Sequence, residues 1–138
     1  MNRTANAHWQ GTLKEGTGQI STQSTVLNNT QYSFKTRFEN GVGTNPEELV
    51  AAAHAGCFTM AISAQLSQAG FNPESLETVA TLDMDAVGLV IKGIHLETKA
   101  TVKDLSNEKY QEIAQGAKAN CLISKILSIP ITLNATLS

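Results

Sequence analysis

The stretch from Pro46 to Gln68 constrains this chain more than any other. Asn45 is a good N-cap, Pro46 suits the first helical position, and Glu48 can reach back to the cap from the third. Gly70 supplies a stop just past the far end. Between these signals Ala51, Ala52, Ala53, Ala55 and Gly56 mix with Phe58, Met60 and Ile62, which predicts a helix apolar nearly all round. Such a helix must be covered on several sides. A chain of 138 residues, one domain (1–138) by its length, can hardly cover it alone, and a partner subunit is expected. Lipid calls for a richer run of Leu, Ile, Val and Phe than this alanine-rich stretch, which also holds His54, Ser63, Gln65, Ser67 and Gln68. The expectation is a buried helix of a soluble protein, with no membrane role.

Charge narrows the function classes. Only 16% of residues are charged and the net charge is -2, so no basic face is offered to nucleic acid. Residues 1–6 carry no apolar run, so no secretory signal is read and a cytoplasmic setting is expected. There, a disulfide is more often catalytic than structural. The two cysteines, Cys57 and Cys121, are not in CxxC spacing, so no zinc site is expected.

The remaining elements are read from periodicity and turns. Ala7, Trp9 and Gly11 alternate with His8, Gln10 and Thr12, and the run from Lys14 to Gly18 is a hairpin signal leading to a strand over Gln19–Thr22. Tyr32 to Phe38 reads as a third strand with Tyr32, Phe34, Thr36 and Phe38 on one face. Leu76–Met84 and Leu89–Val102 read as strands, the second burying Ile94, Leu96, Thr98, Ala100 and Val102. Ser106 caps a helix whose core stripe is Tyr110, Ile113, Ala114 and Ala117, with Leu105 and Tyr110 as a hydrophobic staple. Asn120 is read as the cap of a short helix through Leu127, and Ile129–Leu137 as a final strand that Pro130 places at an edge or a strand start. The sum is an α+β fold.

Several residues invite a chemical reading. Cys57 is either a small core residue or a nucleophile, and the second reading needs a cation that the distant helix start does not supply. Arg37, just before the break Asn40-Gly41-Val42-Gly43, is a candidate cation or an ordinary surface arginine. His54 shares a helix face with Cys57, but two side chains three apart rarely reach attack geometry, so a packed or interface histidine is favoured. Capping explains Glu48, which leaves Glu47 the freer acid. Cys121 is either core packing or a thiol at a helix start.

Taken together, Thr36-Arg37-Phe38-Glu39, Gly43-Thr44-Asn45-Pro46-Glu47-Glu48-Leu49 and Ala52-Ala53-His54-Ala55-Gly56-Cys57-Phe58 resemble the osmotically inducible protein C branch of the OsmC/Ohr family. Ala7-His8-Trp9-Gln10-Gly11 and Ala117-Lys118-Ala119-Asn120-Cys121 agree in order and spacing, so the resemblance spans essentially the whole chain. It implies an OsmC-like fold, with antiparallel sheets around a long central helix, in an intertwined homodimer. It implies a thiol peroxidase acting on organic hydroperoxides, and on hydrogen peroxide less well, in oxidative and osmotic stress defence. By the same resemblance Cys57 is the peroxidatic cysteine and Cys121 the resolving one. Arg37 would hold Cys57 as thiolate and orient the peroxide, and Glu47 would position Arg37. An external dithiol, such as a lipoylated protein, would recycle the disulfide, with no metal or other cofactor. Apolar neighbours Phe58, Met60 and Ile62 either favour bulky, lipid-like peroxides or simply form core. One departure stands out: Leu122 follows Cys121 where the family commonly has proline, which leaves the first turn after the thiol less constrained.

Two other classes compete. A hydrolase using Cys57 and His54 would have no need of Cys121. A non-catalytic dimeric binding or redox-sensing domain would leave Cys57 slow toward peroxide.

Overall fold

The computed structural model describes residues 1–138, which divide into two compact units, Met1–Leu49 and Val50–Ser138. In the first, β1 (Ala5–Gln10), β2 (Thr17–Thr22) and β3 (Thr30–Tyr32) form an antiparallel sheet in that order. Trp9 lies opposite Gly18, and Gly18 lies opposite Tyr32. The missing side chain at Gly18 is required, because a Cβ there would run into both rings. The rings of Trp9 and Tyr32 approach with centroids 5.5 Å apart.

The expected strand over Tyr32–Phe38 ends after one residue. Phe34–Phe38 is instead a short helix, α1. Its start is settled by a reciprocal cap: Ser33 Oγ accepts the Thr36 N–H at 3.3 Å, and Thr36 Oγ1 accepts the Ser33 N–H at 2.8 Å. Phe34 and Phe38 then fall one turn apart with ring centroids at 5.0 Å, a pair that helical spacing favours. Gly43 follows at φ 126°, where a Cβ would collide with the carbonyl of Gln31.

The long helix α2 spans Pro46–Gln68, as its end signals predict. Asn45 Oδ1 accepts the Glu48 N–H at 2.8 Å. Glu48 does not complete the box, however; its carboxylate accepts the Thr44 hydroxyl at 2.8 Å. At the far end Gly70, at φ 87°, turns the chain, and the Phe71 N–H returns to the carbonyl of Leu66 at 2.9 Å. In length and composition α2 is also sufficient to cross a membrane. Only one stripe of it is buried, His54, Phe58, Ile62 and Leu66, at a strict spacing of four. A single chain thus covers the helix on one side only, and Ala52, Ala53, Gly56, Met60 and Ala64 are exposed.

That stripe belongs to the second unit. There β4 (Pro73–Asp85) and β5 (Val90–Val102) form a long hairpin, with Leu76, Thr78, Ala80 and Leu82 opposite Ala100, Thr98, Leu96 and Ile94. The last strand, β6 (Ile131–Leu137), lies parallel to β5 at the edge of the sheet, so this sheet is mixed rather than antiparallel throughout. The helix α3 (Asn107–Asn120) is capped by Ser106 and buries Tyr110, Ile113, Ala114 and Ala117, the stripe its sequence predicts. Gln111 donates to the carbonyl of Ala135 at 2.7 Å and ties α3 to β6. Phe58, Ile62 and Leu66 join Ile94, Leu96, Tyr110 and Ala117 in one core, where each buried Phe, Ile or Leu contributes about 1.5–3 kcal/mol by leaving water. A line of hydroxyls, Thr59 to Thr78 at 2.8 Å and Thr78 to Thr98 at 3.0 Å, fixes the rotation of α2 over the sheet.

Candidate functional site

In the first unit the geometry gathers Arg37 and Glu47. Arg37 is the penultimate residue of α1, and Glu47 lies in the first turn of α2. Arg37 Nε donates to Glu47 Oε1 at 3.0 Å and Oε2 at 3.3 Å, while Nη2 donates to Oε1 at 2.5 Å. Such a forked, charge-assisted pair fixes the guanidinium plane. The Glu47 side chain is only 13% exposed, so this pair is less screened than a free surface bridge. The Arg37 guanidinium carbon also lies 5.0 Å from the centre of the Phe38 ring. The arginine lines a cavity of ≈ 250 Å³ with Trp9, Tyr32, Phe34 and Phe38. One fixed cation thus stands at the edge of an aromatic pocket.

In the second unit both cysteines are free thiols. Cys57 lies on α2, partly buried and packed against the core cluster that contains Cys121. Cys121 is 3% exposed. It separates α3 from the short helix α4 (Leu122–Ile126) and is itself the N-cap of α4. The cap expected from Asn120 is not made; that side chain donates back to the carbonyl of Gly116 at 2.9 Å. Instead the Cys121 sulfur accepts the Ser124 N–H at 3.3 Å and lies 3.1 Å from the Ser124 hydroxyl.

The fully buried His54 completes this group. Its Nε2 is 2.8 Å from Ser124 Oγ, and its Nδ1 has no hydrogen-bond partner. Neither nitrogen bonds Cys57, so the Cys57–His54 pair of a hydrolase is not formed. Burial holds the His54 pKa below its ordinary value of 6.5, so the ring is neutral at pH 7. The other histidines are surface residues, as expected: His8 is exposed, and His95 bonds Thr132 and Glu97 on the outer face of the sheet.

Of the two readings of the apolar neighbours of Cys57, burial favours core for Phe58 and Ile62. Phe58 and Ile62 are fully buried core residues and Met60 is 76% exposed, so none of the three lines a substrate pocket on a single chain. No sequence motif marks Ser124, although it stands three residues after Cys121, the spacing by which an N-cap meets its partner.

Comparison with known proteins agrees with this architecture. The family described as OsmC-like protein matches residues 38–135. Peroxiredoxin OsmC of Escherichia coli strain K12 is 45% identical over 136 residues, covering 97% of this chain and 95% of that protein. The organic hydroperoxide resistance protein OhrB of Bacillus subtilis is 31% identical over 109 residues, covering 78% and 79%. The crystal structure of OhrB superposes with a TM-score of 0.64 at 26% identity, over 98% of both chains. An OsmC-like protein from Mycoplasma pneumoniae reaches a TM-score of 0.74 over 99% of this chain and 97% of that one; at 13% identity it speaks for the fold alone. The α+β architecture is thus that of the OsmC/Ohr proteins. The chain belongs to the OsmC family.

Proposed function

We propose that this chain is a thiol-dependent peroxidase of stress defence that reduces organic hydroperoxides, and hydrogen peroxide less well, at Cys57. The observation that carries the reading is the pair of free cysteines, one partly buried and one buried, packed into the same core. The names of its relatives, a peroxiredoxin and an organic hydroperoxide resistance protein, support the same chemistry.

The Cys57 thiolate attacks the distal peroxide oxygen. The O–O bond breaks, the alkoxide leaves and takes a proton from water to become the alcohol, and Cys57 becomes a sulfenic acid. Cys121 then displaces hydroxide from that sulfur and closes the disulfide. An external dithiol, for which a lipoylated protein is suited, restores both thiols. Arg37 supplies the positive charge that orients the peroxide, and Glu47 fixes Arg37. The aromatic cavity beside Arg37 receives the organic group of the substrate. None of these steps calls for a metal or other cofactor. A homodimer is the assembly we infer, because α2 leaves a broad apolar face uncovered on one chain. A reducing cytoplasm suits a protein that must begin each cycle with two free thiols.

Mass spectrometry of the reduced protein after one equivalent of cumene hydroperoxide tests the cycle. The expected result is a rapid loss of about 2 Da localised to a Cys57–Cys121 link. A gain of about 16 Da that stays on Cys57 would keep the peroxidase and reject Cys121 as its resolver. No change within minutes would leave the fold without this activity.

A further inference from the structure

The thiol of Cys121 is 3% exposed, and Ser124 and His54 beside it are 7% and 0% exposed. If Cys121 attacks a sulfenic acid, it must lose its proton, and bulk water cannot receive it at this depth. The neighbouring side chains offer a route. Cys121 Sγ and Ser124 Oγ are 3.1 Å apart, and Ser124 Oγ and His54 Nε2 are 2.8 Å apart. Burial keeps the ring neutral and so able to accept a proton.

We propose that Ser124 and His54 form a proton relay that activates Cys121 for disulfide closure, an inference that rests on Cys121 being the resolving cysteine. In the resting state the Cys121 S–H donates to Ser124 Oγ, and the Ser124 O–H donates to His54 Nε2. As the sulfur attacks, both protons shift one place along this line. The Cys121 sulfur, now a thiolate, is met by two donors, the Ser124 hydroxyl and the Ser124 N–H at 3.3 Å. The same heavy-atom spacings serve both states, so the shift needs no rearrangement. The new S–S bond forms as the S–O bond of the Cys57 sulfenic acid breaks. The Cys57 sulfur is reduced, the Cys121 sulfur is oxidised, and hydroxide leaves. His54 returns a proton to that hydroxide as water. Its Nδ1, which has no partner, is the free atom for that delivery, on a residue three positions before Cys57 on the same face of α2.

The relay accounts for two features that packing leaves unexplained. An apolar side chain at position 54 would complete the stripe of Phe58, Ile62 and Leu66 without burying an unpaired ring nitrogen. A cysteine sulfur is also a poor choice for a helix cap, where serine, threonine, aspartate and asparagine are preferred.

The test is a single turnover of the reduced full-length protein with one equivalent of cumene hydroperoxide, quenched at intervals. Dimedone reports the sulfenic acid on Cys57, and mass spectrometry reports the disulfide. In Ser124→Ala and His54→Gln, Cys57 is expected to oxidise at the wild-type rate, which also shows that the variants are folded. Disulfide closure is expected to slow tenfold or more, with a matching rise in dimedone adduct. Ser124→Thr, which keeps a hydroxyl, is expected to restore closure. Wild-type closure rates in Ser124→Ala and His54→Gln would overturn the relay while leaving the peroxidase intact. Equal slowing in Ser124→Thr would assign the effect to packing and overturn it as well. A wild-type protein that forms sulfenic acid but no disulfide would remove Cys121 as resolver, and the relay with it.

Discussion

Ser124 reaches the sulfur of Cys121 twice, through its backbone N–H at 3.3 Å and its hydroxyl at 3.1 Å. The first contact is a helix cap and the second a side-chain bond. One sulfur atom therefore begins α4 and serves as a candidate redox centre, and the two roles separate by mutation. Cys121→Ser keeps a capping oxygen and is expected to hold its thermal stability. Cys121→Ala loses the acceptor and is expected to cost about 1 kcal/mol. Both should abolish cycling with dithiols. Thermal melts alongside turnover assays check this, and a Cys121→Ser protein that cycles normally would remove Cys121 from the reaction.

Glu47 matters to Arg37 through geometry more than through bulk. Glu47→Gln keeps the shape but removes the charge assistance of the fork. The expected loss in kcat/KM for cumene hydroperoxide is about 10- to 100-fold, equivalent to about 1.4–2.7 kcal/mol of transition-state stabilisation. Stability should change by about 1 kcal/mol or less, since Arg37 itself is partly exposed. Unchanged kinetics would confine the pair to a structural role.

The aromatic cavity beside Arg37 should set substrate preference. Trp9→Ala removes the indole that lines it. The ratio of kcat/KM for cumene hydroperoxide over hydrogen peroxide is expected to fall about tenfold or more, within the 1–3 kcal/mol that such apolar contacts provide. Equal losses on the two peroxides would exclude the cavity as the seat of the organic group.

His54 ties stability to pH with a definite sign. Its native pKa lies below 6.5 because burial disfavours the charged ring. The unfolded chain therefore binds the proton more readily, and this contribution to stability is full above pH 6.5 and falls as the pH drops toward the native pKa. Urea midpoints at pH 7.5 and 5.5 should fall more in the wild type than in His54→Gln. Parallel declines would show that the ring does not stay neutral in the folded state.

Gly56 tests the dimer. A Cβ at this position meets nothing within 4 Å on a single chain, and glycine is a poor helix former. Gly56→Leu should leave the monomer fold as stable or more so. Across a close helix contact the same side chain would clash, so light scattering should report a shift from dimer to monomer. A variant that stays dimeric would place the interface elsewhere.

Local signals made much of this molecule legible. The two ends of α2, the Ser106 cap and the alternation of β5 each depend on residues close in sequence. At Phe34–Phe38 the aromatic spacing fits a strand at every second residue and a helix at every fourth, so periodicity alone does not separate the two. The choice fell to two hydroxyls, on Ser33 and Thr36. Their setting marks Arg37 and Glu47 as candidates, and the resemblance alone assigns Glu47 to position Arg37. Ser124 escaped altogether, because its meaning comes from His54, seventy positions earlier. The parallel placement of β6 is of the same kind: nothing in Ile131–Leu137 encodes the direction of its neighbour.

The restraint on Arg37 has a consequence for timing. A long arginine side chain normally loses much rotational freedom when it grips a ligand. Here a capped turn, a carboxylate and an aromatic ring hold it before any ligand arrives. Its entropy is thus lost once, during folding, and not again at each encounter. On the proposed function, a brief collision with a dilute oxidant then finds the cation already aligned.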